Sequence, residues 1–118
     1  MVGPNDGNIT VSLQISTDEQ KTWTQWNGSV VTLNKDEKLY VKALNPNKNG
    51  ITSSYRNIHH FVIANGKVAA SGNIQYLLDP TGERIDVPTR CYYEMFMGCT
   101  SLTSAPELPD TTLARYCY

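Results

Sequence analysis

Three cysteines, Cys91, Cys99 and Cys117, and two adjacent histidines, His59 and His60, are the side chains best suited to nucleophilic or metal chemistry. The cysteine spacing, C-x7-C-x17-C, is not that of a zinc site, and an odd number leaves at least one without an intrachain disulfide partner. The reading that fits best is a small buried hydrophobe at equivalent positions of successive structural units, with a disulfide or a reactive thiol as the alternative. On a strand, neighbouring side chains point to opposite faces, so His59 and His60 do not converge on one metal ion. Asp18, Glu19, Asp36 and Glu37 lie in turn segments with no partner framework, and Ser71-Gly72 is not a nucleophile elbow. No Gly-rich phosphate loop is present. The sequence assigns no catalytic residue, metal ligand or cofactor. What it does offer is stacking: Trp26, Tyr40 and Tyr55 are the candidate binding residues, because an exposed aromatic ring can lie flat on a sugar.

Composition narrows the classes further. With 40% hydrophobic and 18% charged residues the 118-residue chain suits a folded protein. A net charge of −1 gives no electrostatic case for nucleic acid or anionic lipid. No run approaches the ~18 apolar residues of a membrane span. Residues 1–7 carry neither the basic nor the apolar region of a secretory signal, so an exported protein would have lost it already.

The elements that must position these residues read as strands. Residues 1–7, rich in Gly, Pro, Asn and Asp, predict a flexible leader. Ile9, Val11, Leu13 and Ile15 alternate with polar residues, the period of a half-buried strand. Ser16-Thr-Asp-Glu-Gln-Lys-Thr-Trp23 is similar to the Asp-box, Ser-x-Asp-x-Gly-x-Thr-Trp, a structural hairpin motif of sialidases and other secreted β proteins. Gln20 stands where the motif has Gly. The motif has Asp18 accepting backbone N–H groups across the turn and Trp23 packing behind it. Residues 23–26 make the return strand, ended by Asn27-Gly28, with Trp23 and Trp26 on opposite faces.

Further strands are expected at 30–33, 39–44, 59–64 and 67–71, the last two joined as a hairpin by Asn65-Gly66. The polar loop from residue 45 to Tyr55 is expected to be a solvated connection. Ile74, Leu77 and Leu78 predict a single helical turn that closes the end of the sheet structure. The fold class is therefore mostly β: a small antiparallel β-sandwich, Ig-like, over residues 8–79, then a linker at 80–90.

Residues 91–118 form the remaining unit. Cys91-Tyr92 returns 26 residues later as Cys117-Tyr118, a spacing typical of stacked solenoid coils. Between them, Met95-Phe96-Met97-Gly98-Cys99-Thr100-Ser101-Leu102 and then Ala105-Pro106-Glu107-Leu108-Pro109 carry a recognisable pattern. It resembles the Phe-x-Gly-Cys-x-x-Leu signature of BspA-type (Treponema pallidum-type) leucine-rich repeats, found in surface proteins of gut and oral bacteria. The resemblance covers about a quarter of the chain.

It implies one full repeat and the start of a second, truncated from a longer solenoid. Cys91, Met95, Phe96, Cys99, Leu102, Leu108 and Cys117 would be its core positions. Gly98 would end a short helix at 92–97, and a short strand would follow at 105–109. A single coil leaves two open faces; Tyr92, Met95 and Phe96 are expected to close one against the β domain.

The function implied is non-catalytic: a cell-surface or secreted binding and adhesion module. Its partner would be a protein or glycan on a host or bacterial surface, with self-association through the open repeat end as a further possibility. The alternatives are a carbohydrate-binding accessory domain using exposed aromatics, and a surface protein of a phage virion. No partner among nucleic acids or membranes is expected.

Overall fold

A computed structural model describes residues 1–52, 54, 56–82, 88 and 91–108, apart from the side chain of Asp6. Among these residues the chain is mostly strand and coil. Helix is limited to two 3-10 turns, Pro4–Asp6 and Ile74–Leu77. Five short strands are present: β1 (Leu13–Ser16), β2 (Thr24–Trp26), β3 (Tyr40–Ala43), β4 (Val68–Ala69) and β5 (Leu102–Ser104).

The first three make an antiparallel sheet in the order β2-β1-β3. Leu13 stands opposite both Trp26 and Ala43, and all three are buried. Residues directly opposite in antiparallel strands share a face, so this row defines the core side. The alternation of Leu13 and Ile15 with Gln14 thus fixes which side of β2 and β3 turns inward.

The second sheet is parallel. β4 pairs with β5, Val68 facing Leu102, and the pairing continues as a bridge from Asn73 to Glu107. Residues 68–74 and 101–107 run alongside each other, linked by Val68 N–H to Ser101 O, Ala70 N–H to Ser104 O, Ile74 N–H to Glu107 O and Glu107 N–H to Gly72 O, at 2.7–3.1 Å. This arrangement replaces the hairpin expected across Asn65-Gly66: residues 59–64 form no ladder with 67–71. Their one strand-like contact is the bridge of His60 with Val2. The strand expected at 30–33 is also absent. Val30 is 92% exposed and Val31 packs against the core, but the segment pairs with no strand among the described residues.

One hydrophobic core runs through the described chain, uniting Leu13, Trp26, Ile51, Ile74, Leu77 and Leu78 with Cys91, Tyr92 and Met95. The single turn at 74–77 is present as expected, packed against β3. Residues 1–7, expected to be flexible, are tied to the fold at their start. Met1 belongs to the core, Val2 exchanges backbone hydrogen bonds with His60 at 2.8 and 3.0 Å, and Gly3 is enclosed by residues 8 and 9.

The loop after residue 45 is another departure. Asn47, Ile51 and Thr52 are buried. Asn47 makes this tolerable by satisfying its own amide: Oδ1 accepts from Ser12 N–H at 2.9 Å, while Nδ2 donates to Ser12 O and Leu77 O at 3.1 and 2.8 Å. The loop is a bracket between β1 and the 74–77 turn.

Candidate functional site

Residues 91–96 are held by this bracket and by Phe61. Ile51 N–H and Thr52 N–H both donate to Cys91 O, at 2.9 and 2.8 Å, and Phe61 N–H donates to Met95 O at 2.7 Å. Cys91, Tyr92 and Met95 are buried, and Phe96 stacks on Phe61 with ring centroids 5.3 Å apart. Such a pair contributes about 0.5–1.5 kcal/mol beyond its buried area. Tyr92 and Met95 thus belong to the same core as Leu13, Ile51 and Leu78, and Phe96 packs against it.

The helix expected at 92–97 is not formed. Glu94 has φ 58°, outside the right-handed region, and the segment instead makes successive tight turns, Met95 N–H to Tyr92 O, Met97 N–H to Glu94 O and Cys99 N–H to Phe96 O. Gly98 ends them with φ 75°, the conformation glycine adopts without steric cost. The strand lies at Leu102–Ser104; of the expected 105–109 segment, Pro109 lies outside the described residues, and Glu107 makes an isolated bridge. Leu102 and Cys99 are half-buried, and Leu108 is 48% exposed instead of filling the core. It follows the Asn73–Glu107 bridge and lines a groove of about 350 Å³ with Tyr93, Met95, Met97, Ala105 and Pro106. The groove is largely apolar. Beside it, β5 has β4 on one edge and no strand on the other among the described residues. Cys117 lies outside the described residues.

Cys91 and Cys99 are not disulfide-bonded to each other. The Cys99 thiol donates to Phe61 O at 3.2 Å, and burial pushes its pKa up, so the thiolate needed for nucleophilic chemistry is disfavoured. His59 is fully buried, with Nε2 accepting from Thr10 N–H at 3.1 Å. Among the described residues no three His, Cys, Asp or Glu side chains converge on a metal position.

The Asp-box turn forms despite its missing glycine. Asp18 Oδ1 accepts from Thr22 N–H at 2.9 Å and from the Ser16 hydroxyl at 2.7 Å, while the Thr22 hydroxyl donates to Oδ2. These bonds, the Thr22 hydroxyl first, hold the Asp18 carboxyl well below the usual carboxylate range. Gln20 takes the position of the absent glycine with φ 70°, its N–H donating to Ser16 Oγ at 3.0 Å.

The three stacking candidates separate. Trp26 is 5% exposed, opposite Leu13, with Nε1 donating to Ser29 O at 3.0 Å; it is a core residue and presents no face to a ligand. Tyr40 is half-buried on β3. Tyr55 lies outside the described residues. The tryptophan left half-exposed is Trp23, with the Lys42 ammonium 4.2 Å from its ring centroid. Lys42 stands opposite Gln14, and Gln14 opposite Gln25, so Trp23, Lys42, Gln14, Gln25 and Tyr40 share the sheet face away from the core. The alternation in 39–44 already placed Tyr40 and Lys42 outward. Assigning Trp23 to that face required the β1–β2 register.

Comparison with protein-family models, curated proteins and solved structures gives no significant match.

Proposed function

We propose that the chain is a non-catalytic binding module of a bacterial cell-surface or secreted protein. A small β domain carries the first coil of a BspA-like leucine-rich-repeat solenoid. The supporting observation is the parallel run of residues 68–74 along 101–107, the relation that successive coils of a solenoid bear to one another. In this reading the β domain supplies the preceding coil and caps the array. The partner is a protein of a host or bacterial surface, met by the apolar groove of Met97, Pro106 and Leu108 and the open edge of β5. Adhesion to host-cell and bacterial surfaces, measured with immobilised protein, tests it. Met97→Asp with Leu108→Asp should weaken adhesion by about tenfold or more, the loss expected when a charge enters an apolar contact. Unchanged adhesion would remove the groove from the binding surface.

A second reading, glycan binding, is favoured by the outer sheet face. Trp23 and Tyr40 supply rings, and Gln14, Gln25 and Lys42 supply hydrogen-bonding groups around them. Binding to an arrayed glycan set that disappears in Trp23→Ala and persists in the Met97/Leu108 double variant would select this reading over the first.

A further inference from the structure

The sequence contains three Asn-Gly pairs, Asn27-Gly28, Asn49-Gly50 and Asn65-Gly66. This dipeptide is prone to a reaction needing no enzyme. The amide nitrogen of the glycine loses its proton to solvent base and attacks the asparagine Cγ. A C–N bond forms, the side-chain nitrogen leaves as ammonia, and the resulting succinimide is opened by water to aspartate or isoaspartate. Glycine permits it because no Cβ obstructs the approach. The attacking nitrogen and the side chain must also be free to rotate towards each other.

The fold treats the three pairs differently. Asn27 is engaged at both ends, its Oδ1 accepting from Ser29 N–H at 2.9 Å and its carbonyl from Ile9 N–H at 3.2 Å. Gly28 is wedged so tightly that a Cβ there would lie 2.6 Å from Met1 O. At the second pair the nucleophile itself is occupied: Gly50 N–H donates to Asn47 O at 3.0 Å, and Gly50 is buried against Cys91. Asn65 and Gly66 are exposed, with no atom within 4 Å of a Cβ placed on Gly66 and no hydrogen bond spanning the turn. The expected hairpin would have clamped this pair; pairing of β4 with β5 leaves it unclamped.

We infer that Asn65 is a site of spontaneous deamidation in the folded protein, and that the fold protects Asn27 and Asn49. The product adds a carboxylate to a chain of net charge −1. Its isoaspartyl form also lengthens the backbone just ahead of Val68, whose N–H donates to Ser101 O at 3.1 Å at the start of the parallel ladder.

The test is peptide mapping by mass spectrometry after incubation of the protein in mildly alkaline buffer, folded and in denaturant. In the folded protein Asn65 should convert at least about tenfold faster than Asn27 or Asn49, which react only after local opening, and in denaturant the three should converge. Asn65→Asp, which carries the charge without the longer backbone, should keep the Val68 amide protected from exchange, whereas isoaspartate-containing protein should lose that protection. Conversion of Asn27 or Asn49 as fast as Asn65 in the folded state would overturn the inference, as would an inert Asn65.

Discussion

Gly50 and Cys91 meet backbone to backbone: a Cβ on Gly50 would lie 2.8 Å from the Cys91 Cα and 3.0 Å from its Sγ. Gly50 also holds φ 85°, whereas Gly98 has a similar φ of 75° and open space around it. Replacing each by alanine separates strain from crowding. Gly98→Ala should cost about 1–2 kcal/mol, the backbone term alone. Gly50→Ala should cost about 1–3 kcal/mol more, because Cys91 must move away from residue 50. Urea unfolding of the two variants measures the difference.

Gln20 offers the opposite experiment. A side chain held at φ 70° is strained, and nothing in the turn requires it to be glutamine: the bond made at this position uses the backbone N–H. Gln20→Gly restores the Asp-box consensus and should stabilise the protein by about 1 kcal/mol, partly offset by greater freedom in the unfolded chain. An unchanged or lower urea midpoint would show that the strain is relieved elsewhere.

The Asp18 carboxyl, bonded to the Thr22 hydroxyl, the Thr22 N–H and the Ser16 hydroxyl, has its pKa depressed. A depressed acid contributes stability above its unfolded value of about 3.9 and loses it as pH falls towards the folded value. NMR titration should show Asp18 ionised after the exposed carboxylates have protonated. Thr22→Val should move its titration back up.

His59 titrates with the opposite chemistry but the same sense in pH. Burial, opposed in part by the carbonyls of Ile51 and Asn57 and reinforced by His60, holds its pKa below 6.5. Its Nδ1 has no hydrogen-bond partner among the described residues. The unfolded chain therefore binds more protons just below pH 6.5, so stability should be flat above about that pH and decline as pH falls through it. Thermal unfolding between about pH 8 and 5 should show this slope, and His59→Gln should remove it. A slope that survives the substitution would assign it to another group.

What could be read in advance was what short-range chemistry decides. The Ser16–Asp18–Thr22 turn forms within its own eight residues, and the alternation around Leu13 and within 39–44 gives the faces of β1 and β3. Gly98, at positive φ after the turns of 92–97, and the buried Tyr92 and Met95 were also expected from the local residue types. Elsewhere a distant partner overruled a local signal. Asn65-Gly66 marks a hairpin, yet residues 68–74 gain more by lying along 101–107. The segment beginning Asn45-Pro46-Asn47 looks solvated because burial of Asn47 depends on carbonyl and amide groups of Ser12 and Leu77, distant in sequence. Trp23 and Trp26 were distinguishable as opposites, but only pairing with Leu13 decides which of them is inside. The outer-face cluster was invisible for the same reason.

The bracket of Asn47, Ile51 and Thr52 has a bearing on the order of events during synthesis. Val2 pairs with His60, Ser12 with Asn47, and Ile51 with Cys91, so each contact closes a long loop before it is rewarded. Formation should be slow for a chain of this size. A ribosome extending the chain would leave Ile51 without its Cys91 contact until residue 91 had emerged. The length of that interval is set by how far Cys91 lies from Ile51 along the chain.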